Sequence, residues 1–264
     1  MGPFTSLLSL MAAAFQANTA DGVVWHWDRE TPTCVLRQET FPGGDTIEIG
    51  RTPANGATGV TITTRSRTRL REVQIMKGAI TLDSGGQTVA DVFQQGDPDE
   101  QHLNTSASTE DSGFMAKLAN ASTLEISGGG IRPARITLKS AAAAVQALRN
   151  CEDAKMRQWG VDAGAWNALK AKPMPLKPIQ ELFSANDYPD AALDYSVQGD
   201  AIIRLDVGSD GTVRSCKSVN PAKYRGFEYA SCNMLRRARF QPALDAADHP
   251  VSAPYIFYVS FRMR

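Results

Sequence analysis

The sequence predicts an α+β protein of two domains, a mixed β-rich N-terminal domain and a smaller C-terminal domain. Two observations predict the class: stretches that alternate apolar and polar residues, typical of half-buried strands, and apolar stripes at helical spacing. A third predicts the division. Residues 170–178 alternate proline with long side chains, which favours extended backbone. We therefore divide the 264 residues into a leader (1–20), an α+β domain (21–169), a proline-rich linker (170–183) and a C-terminal domain (184–264).

The charge balance excludes a general polyanion-binding role. The chain carries 28 basic and 28 acidic residues, so no global field would attract nucleic acid or acidic membranes. The one local basic run, Arg65, Arg67, Arg69 and Arg71, has period two and is interpreted as a solvated face of a strand. We expect no nucleic-acid partner.

The leader predicts export. Residues 4–15 form an apolar run of signal-peptide length, with cleavage plausible after Ala17 or Ala20. It lacks a basic start, since no Lys or Arg precedes Arg29, so a disordered cytosolic leader stays the alternative. Four cysteines without zinc spacing favour two disulfides, which persist in oxidising compartments. We expect a periplasmic protein, with a membrane anchor as the less favoured option.

Local patterns predict the elements of the first domain. Residues 46–49 and 60–63 alternate as strands do, and residues 113–121 have the spacing of a short helix. Residues 123–127 and 134–138 flank Gly128-Gly129-Gly130, which predicts a hairpin. A phosphate cradle is disfavoured because a strand, and no helix, follows the glycines.

A longer helix and a disulfide complete this domain. Ser140 is placed as the N-cap of a helix with a buried stripe of Ala141, Ala144, Val145, Leu148 and Cys151. Cys34 lies in a strand-like stretch of the same domain. A strand-to-helix bridge is geometrically natural, and we predict a Cys34–Cys151 disulfide.

The C-terminal domain reads as helix, hairpin, helix and terminal strand. A short helix near residues 188–193 precedes a strand at 201–207, the Asp210-Gly211 turn and a second strand at 213–219. Residues 255–263 alternate as a strand at the chain terminus. The second helix is predicted from a helical stripe of Phe227, Ala230, Ser231, Met234, Leu235 and Ala238.

This order of elements, with Tyr188-Pro189 near its start and Arg239-Phe240-Gln241-Pro242-Ala243 after the second helix, resembles the TonB C-terminal domain over residues 184–264. The resemblance implies a Cys216–Cys232 disulfide, which matches a subset of that family. The region from Phe114 to Asp162 resembles an N-terminal module, of undefined function, found with such domains.

The resemblance also implies a function. TonB-like domains are expected to bind a short extended peptide of an outer-membrane transporter by adding it as a strand to an open sheet edge. The structural alternative is an edge protected by Pro254, Arg262 and Arg264. An outer-membrane transporter or another envelope protein is the expected partner, and a homodimer is a further option. The implied binding residues are Ser184, Ala185, Asn186, Asp187, Tyr255, Ile256, Phe257, Tyr258, Val259, Ser260 and Phe261.

Two departures leave a second interpretation open. The sequence offers neither a long membrane helix nor a long proline-rich linker, which an energy transducer of this type is expected to have. Asn220-Pro221-Ala222-Lys223-Tyr224 also replaces the turn expected between the second strand and the second helix. The alternative is a periplasmic structural or interaction module without energy coupling.

Catalysis is disfavoured by the histidines and acidic residues. His26, His102 and His249 have no partners at metal-binding spacing. The acidic run at residues 97–100 lacks the ligand repeat of an EF-hand calcium loop. We expect no enzyme, no metal and no small-molecule cofactor.

Overall fold

The computed structural model of the protein describes residues 17–18, 24–27, 33–39, 44–66, 74–97, 102–220 and 224–263. Five predictions lie wholly or mostly outside these ranges: the leader at 1–20, the basic run beyond Arg65, the acidic run after Asp97, the turn residues 221–223, and the role of Arg264 at the edge. In the described ranges the protein is α+β, with more strands than helices.

Ten antiparallel strands form the sheet of the N-terminal part. Its order is β1-β2-β3-β4-β5-β8-β7-β6-β9-β10. The strands are β1 (Ala17–Asn18), β2 (Val24–Trp27), β3 (Cys34–Glu39), β4 (Thr46–Arg51), β5 (Thr58–Arg65), β6 (Gln74–Leu82), β7 (Gly86–Asp97), β8 (His102–Thr109), β9 (Thr123–Gly128) and β10 (Ala134–Thr137).

This sheet curls back on itself. The buried side chain of Gln38 in β3 donates to the carbonyl of Thr137 (3.0 Å) and accepts from the amide of Lys139 (2.9 Å), although β4 to β9 lie between β3 and β10 in the sheet order. A buried amide that satisfies both its donor and its acceptor in this way holds the last strand against the third.

Three helices accompany this sheet: α1 (Phe114–Ala119), α2 (Ala141–Gln158) and α3 (Ala163–Ala168). The stripe predicted for α2 is buried, with Leu148 1% exposed, and joins the core of the curled sheet. Ser140 precedes α2 as predicted, but it has a left-handed φ of 52° and makes no side-chain capping bond. The short helix α3 was not predicted, although the Asp162 carboxylate caps it by accepting from the amide of Ala165 (3.0 Å).

Both predicted disulfides are present. Cys34 in β3 is bonded to Cys151 in α2, and Cys216 is bonded to Cys232. The first ties the longest helix to the sheet across 117 residues of sequence, whereas the second spans only 16.

The C-terminal part is a three-stranded antiparallel sheet of order β13-β12-β17, packed against one helix. Phe227, on that helix, is fully buried and stacks on Phe261 with 4.3 Å between ring centroids. The elements are α4 (Asp190–Asp194), β12 (Gly199–Val207), β13 (Val213–Ser218), α5 (Arg225–Leu235), β14 (Phe240–Gln241), β15 (Ala243–Leu244), β16 (Pro250–Val251) and β17 (Ala253–Phe261), with 3-10 turns at Ile179–Leu182 and Ala185–Asp187.

The proline-rich segment is paired with the C-terminal part. Strand β11 (Met174–Pro175) pairs antiparallel with β14, and Ala171 forms a bridge with Leu244. The amide of Leu176 also donates to the carbonyl of Arg239 (2.8 Å). The backbone is extended here, but these bonds hold it against its neighbour.

A third apolar cluster lies where the N-terminal and C-terminal parts meet. Trp159 and Trp166 pack in it with Ile202 of β12 and Ile256 of β17. Arg204 crosses the same seam and donates to the carbonyl of Gly160 (2.5 Å). Among the described residues, no helix combines the length and the apolar character needed to cross a bilayer.

The turn between β12 and β13 requires glycine at position 211. Gly211 has a φ of +75°, and a Cβ there would lie 2.1 Å from the carbonyl oxygen of Phe240. Gly86 has a similar φ of +82° but faces open space. We expect Gly211→Ala to lower the free energy of unfolding by about 2–3 kcal/mol, because conformational strain and a backbone clash add.

The matched variant Gly86→Ala should lose only the conformational contribution, about 1 kcal/mol. Urea unfolding monitored by circular dichroism compares the two. Equal losses would mean that the backbone approach at Phe240 has no energetic weight.

Candidate partner-binding edge

Strand β17 lies at one edge of the three-stranded sheet, with β12 as its neighbour on the inner side. The register pairs Phe257 with Ile203 and Val259 with Ala201. The amide of Ile256 donates away from β12, so Ile256, Tyr258 and Ser260 direct their backbone groups outward, while the odd-numbered residues bond to β12. We call the side of β17 that faces away from β12 the outer edge.

The side chains of β17 are divided between two apolar clusters. Tyr255, Val259 and Phe261 are buried in the core of the C-terminal part. Ile256 points the opposite way and is 0% exposed, because it packs in the seam beside Trp159 and Trp166. The predicted alternation is present, but both faces are covered at Ile256, a result of long-range packing that a period-two pattern does not contain.

The predicted segment Ser184, Ala185, Asn186 and Asp187 lies beside β17. The Asp187 carboxylate accepts from the amide (2.7 Å) and the hydroxyl (2.8 Å) of Ser184 and closes a tight turn. The flanking residues touch the strand: Phe183 stacks on Phe257 at 6.1 Å, and Tyr188 meets Phe261 edge-on at 5.6 Å. These two flanking contacts place the predicted segment near the strand.

A charged cluster stands at the C-terminal end of this edge. Arg262 donates to the Asp200 carboxylate (3.0 Å) and to the carbonyl of Gly199 (3.0 Å). Burial alone would raise the pKa of Asp200, but hydrogen bonds from Arg262, Tyr258 and Ser260 outweigh it and hold this pKa below its usual range. Burial and the Asp200 charge raise the pKa of the Tyr258 phenol. At neutral pH the edge thus ends in a fixed ion pair beside a neutral tyrosine.

The other end of the edge is in contact with the N-terminal part. The carbonyl of Ala54 accepts from the amide of Ile256 (3.0 Å), and the Asn55 side chain donates to the carbonyl of Ile256 (3.2 Å). These two residues were missed by the sequence reasoning. Asn55-Gly56 is a recognised turn signal, so the turn could have been predicted from the sequence. Its contact with β17 could not, because no local pattern indicates which surface a turn contacts.

A cleft of about 670 Å³ opens beside this contact and is lined from both parts, by Asn55 and Tyr255 among others. Several of its charged side chains have partners within the chain. Arg51 is paired with Glu152 (2.8 Å), and Lys172 donates to the carbonyl of Leu169 (3.0 Å) at the end of α3. Burial lowers the pKa of Lys172.

The C-terminal part is thus a small α+β unit in which an antiparallel sheet, with β13 and β17 as its edge strands, packs against one helix. Residues 184–263 match the family model of the Gram-negative bacterial TonB protein C-terminal domain. Comparison with curated proteins finds no match. Comparison with solved structures finds none either.

Chemically, the outer edge offers hydrogen bonds and an ion pair. At Tyr258 and Ser260, no main-chain partner from the described residues meets the outward backbone groups. Unpaired strand groups of this kind template pairing with another chain. The edge can therefore accept a short extended segment over the half that lies next to the Asp200–Arg262 pair.

Proposed function

We propose that the protein binds an extended peptide, or an extended segment of a partner protein, by adding it as a strand to the outer edge of β17. The observation that carries this proposal is that the N–H and C=O groups of Tyr258 and Ser260 face away from β12, while β17 is paired with β12 on its other side. Main-chain bonds would supply affinity, and side chains beside the edge would supply selectivity. The protein acts by binding and not by catalysis.

The match at residues 184–263 supports a role in the envelope, in energy-coupled transport across the outer membrane. The partner would be a periplasm-facing segment of an outer-membrane transporter, and the protein would be periplasmic. The N-terminal part and the C-terminal part would act as two domains joined through residues 170–183. Ser184 to Asp187 would contact the bound strand, because the aromatic residues on either side of them contact β17.

The substitution Ser260→Pro tests strand addition. Proline removes the outward N–H of residue 260 but leaves the bonds between β17 and β12, which the odd-numbered residues make. We expect peptide affinity to fall by at least about fivefold, the equivalent of one lost hydrogen bond. Binding is measured by fluorescence polarisation with labelled nine-residue peptides that tile the periplasm-facing segments of outer-membrane transporters from the same cell.

Ser260→Ala is the matched control, since it removes the same hydroxyl and keeps the backbone donor. It should bind like the wild type, and both variants should keep the wild-type circular dichroism spectrum. If Ser260→Pro binds a peptide as tightly as Ser260→Ala, the bound strand does not use the outer edge.

A further inference from the structure

The turn that joins β4 to β5 occupies part of the outer edge. We call residues 52–57 the docking turn. It satisfies both outward groups of Ile256: the amide donates to the Ala54 carbonyl (3.0 Å), and the carbonyl accepts from the Asn55 side chain (3.2 Å). An added strand would bond the same N–H and C=O groups. The docking turn therefore occupies the place that a partner strand would take beside Ile256.

Packing reinforces these two bonds. Ala54 is 2% exposed and belongs to the seam cluster together with Ile256 and Trp166. The Asn55 side chain also hydrogen-bonds the Tyr255 hydroxyl, and burial raises the pKa of that phenol, which stays neutral. Asn55 thus bonds to two consecutive residues of β17, and these directional bonds make the docked position specific.

The docking turn cannot move along the edge to make room. Its ends continue into β4 and β5, which pair with each other and with β3 and β8. Inside the turn, Ala54 (φ 55°) and Gly56 (φ +88°) both have left-handed backbone, and the amide of Asn55 bonds to the carbonyl of Thr52 (3.2 Å). A turn held at both ends in this way leaves the edge only if the N-terminal and C-terminal parts separate there.

We propose that the docking turn is an internal competitor for the outer edge. This inference rests on the strand-addition function proposed above. Through the docking turn, the N-terminal part would regulate how a peptide binds to the outer edge. With the turn docked, a partner has only the half of the edge at Tyr258 and Ser260, and with the turn released it gains Ile256 as well. Because the competitor is part of the same chain, it acts at a high effective concentration, and a partner binds with full affinity only to the fraction of molecules in which the turn is released.

The substitution Asn55→Ala, made in the full chain, tests this competition. It removes the side-chain bonds to Ile256 and Tyr255, together with a long bond that the Asn55 side chain accepts from the amide of Ala57 (3.4 Å), and it leaves the pairing of β4 with β5 in place. Asn120→Ala is the matched control, because the Asn120 side chain donates to the carbonyl of Ala116 within the α1 region, on an exposed surface far from β17 in sequence. Two quantities are measured: amide hydrogen exchange at Ile256 and Tyr258, and the affinity for the labelled transporter peptides.

In the wild type and in Asn120→Ala, the Ile256 amide should exchange more slowly than the outward Tyr258 amide. In Asn55→Ala, exchange at Ile256 should accelerate and peptide affinity should rise, each by about fivefold, because the closed state loses a hydrogen bond.

Three results would overturn the proposal, each in a different way. Equal exchange at Ile256 and Tyr258 in the wild type would mean that the docking turn does not hold the edge. Faster exchange at Ile256 in Asn55→Ala, with unchanged peptide affinity, would show that the docking turn does not compete with the peptide. Strand addition itself would still stand. Absence of peptide binding in every variant, with Ile256 protected, would refute the proposed function and with it the competition, while the docked turn would stand as a structural contact.

Discussion

Replacing Cys34 and Cys151 together by alanine is expected to lower the free energy of unfolding by about 5 kcal/mol. The bond closes a loop of 117 residues, and a crosslink of that length removes much of the conformational freedom of the unfolded chain. Cys34 in β3 and Cys151 in α2 are both buried, at 0% and 5% exposure, so the double substitution also removes two buried sulfur atoms from the core.

The matched comparison is the double substitution of Cys216 and Cys232 by alanine. That bond closes a loop of only 16 residues, for which the same entropy argument gives about 3 kcal/mol. Guanidinium unfolding of the two double variants, under identical conditions, measures the difference. A larger loss at the short loop would show that loop entropy does not govern the stability of this chain.

The second large effect is expected at Phe227. Its ring is fully buried, stacks on Phe261 at 4.3 Å and meets Tyr188 edge-on at 5.9 Å. A Cβ on Gly199 would lie 2.9 Å from the ring, so the neighbouring strand closes tightly over it. Phe227→Ala should therefore lower the free energy of unfolding by about 3–5 kcal/mol, from lost burial and an unfilled cavity.

Tyr229 provides the control on the same helix. It is 72% exposed, so Tyr229→Ala should change stability by no more than about 0.5 kcal/mol. Thermal and urea unfolding of both variants give the comparison. A small loss for Phe227→Ala would mean that α5 repacks against β17, and the aromatic contacts that place residues 184–187 beside the edge would then be adaptable.

Elements with strong local signals could be predicted from the sequence. The stripe from Ala141 to Cys151 gave α2 and the partner of Cys34, and the alternation near the chain terminus gave β17. The glycines at 128–130 connect two strands, as their flanking pattern indicated. In each case the period of a few neighbouring residues carries the information.

Features that depend on distant contacts could not be predicted. Ile256 is buried on the face that alternation leaves to solvent, because tryptophans about a hundred residues earlier cover it. The pairing of β11 with β14 depends on which surface an extended segment meets, and extended segments of many sequences look alike. Ser140 shows a local failure: its residue type favours capping, yet its left-handed backbone removes the side chain from that role.

The docking turn also bears on self-association. An uncovered edge strand invites the same strand of another molecule, and continuous edge-to-edge pairing is a route to aggregates. With Ile256 bonded to Ala54 and Asn55, and with Pro254 unable to donate, the contiguous unpaired stretch of β17 is confined to its C-terminal half. Two molecules could share only a short ladder there, so a docked turn would limit edge-to-edge pairing at β17.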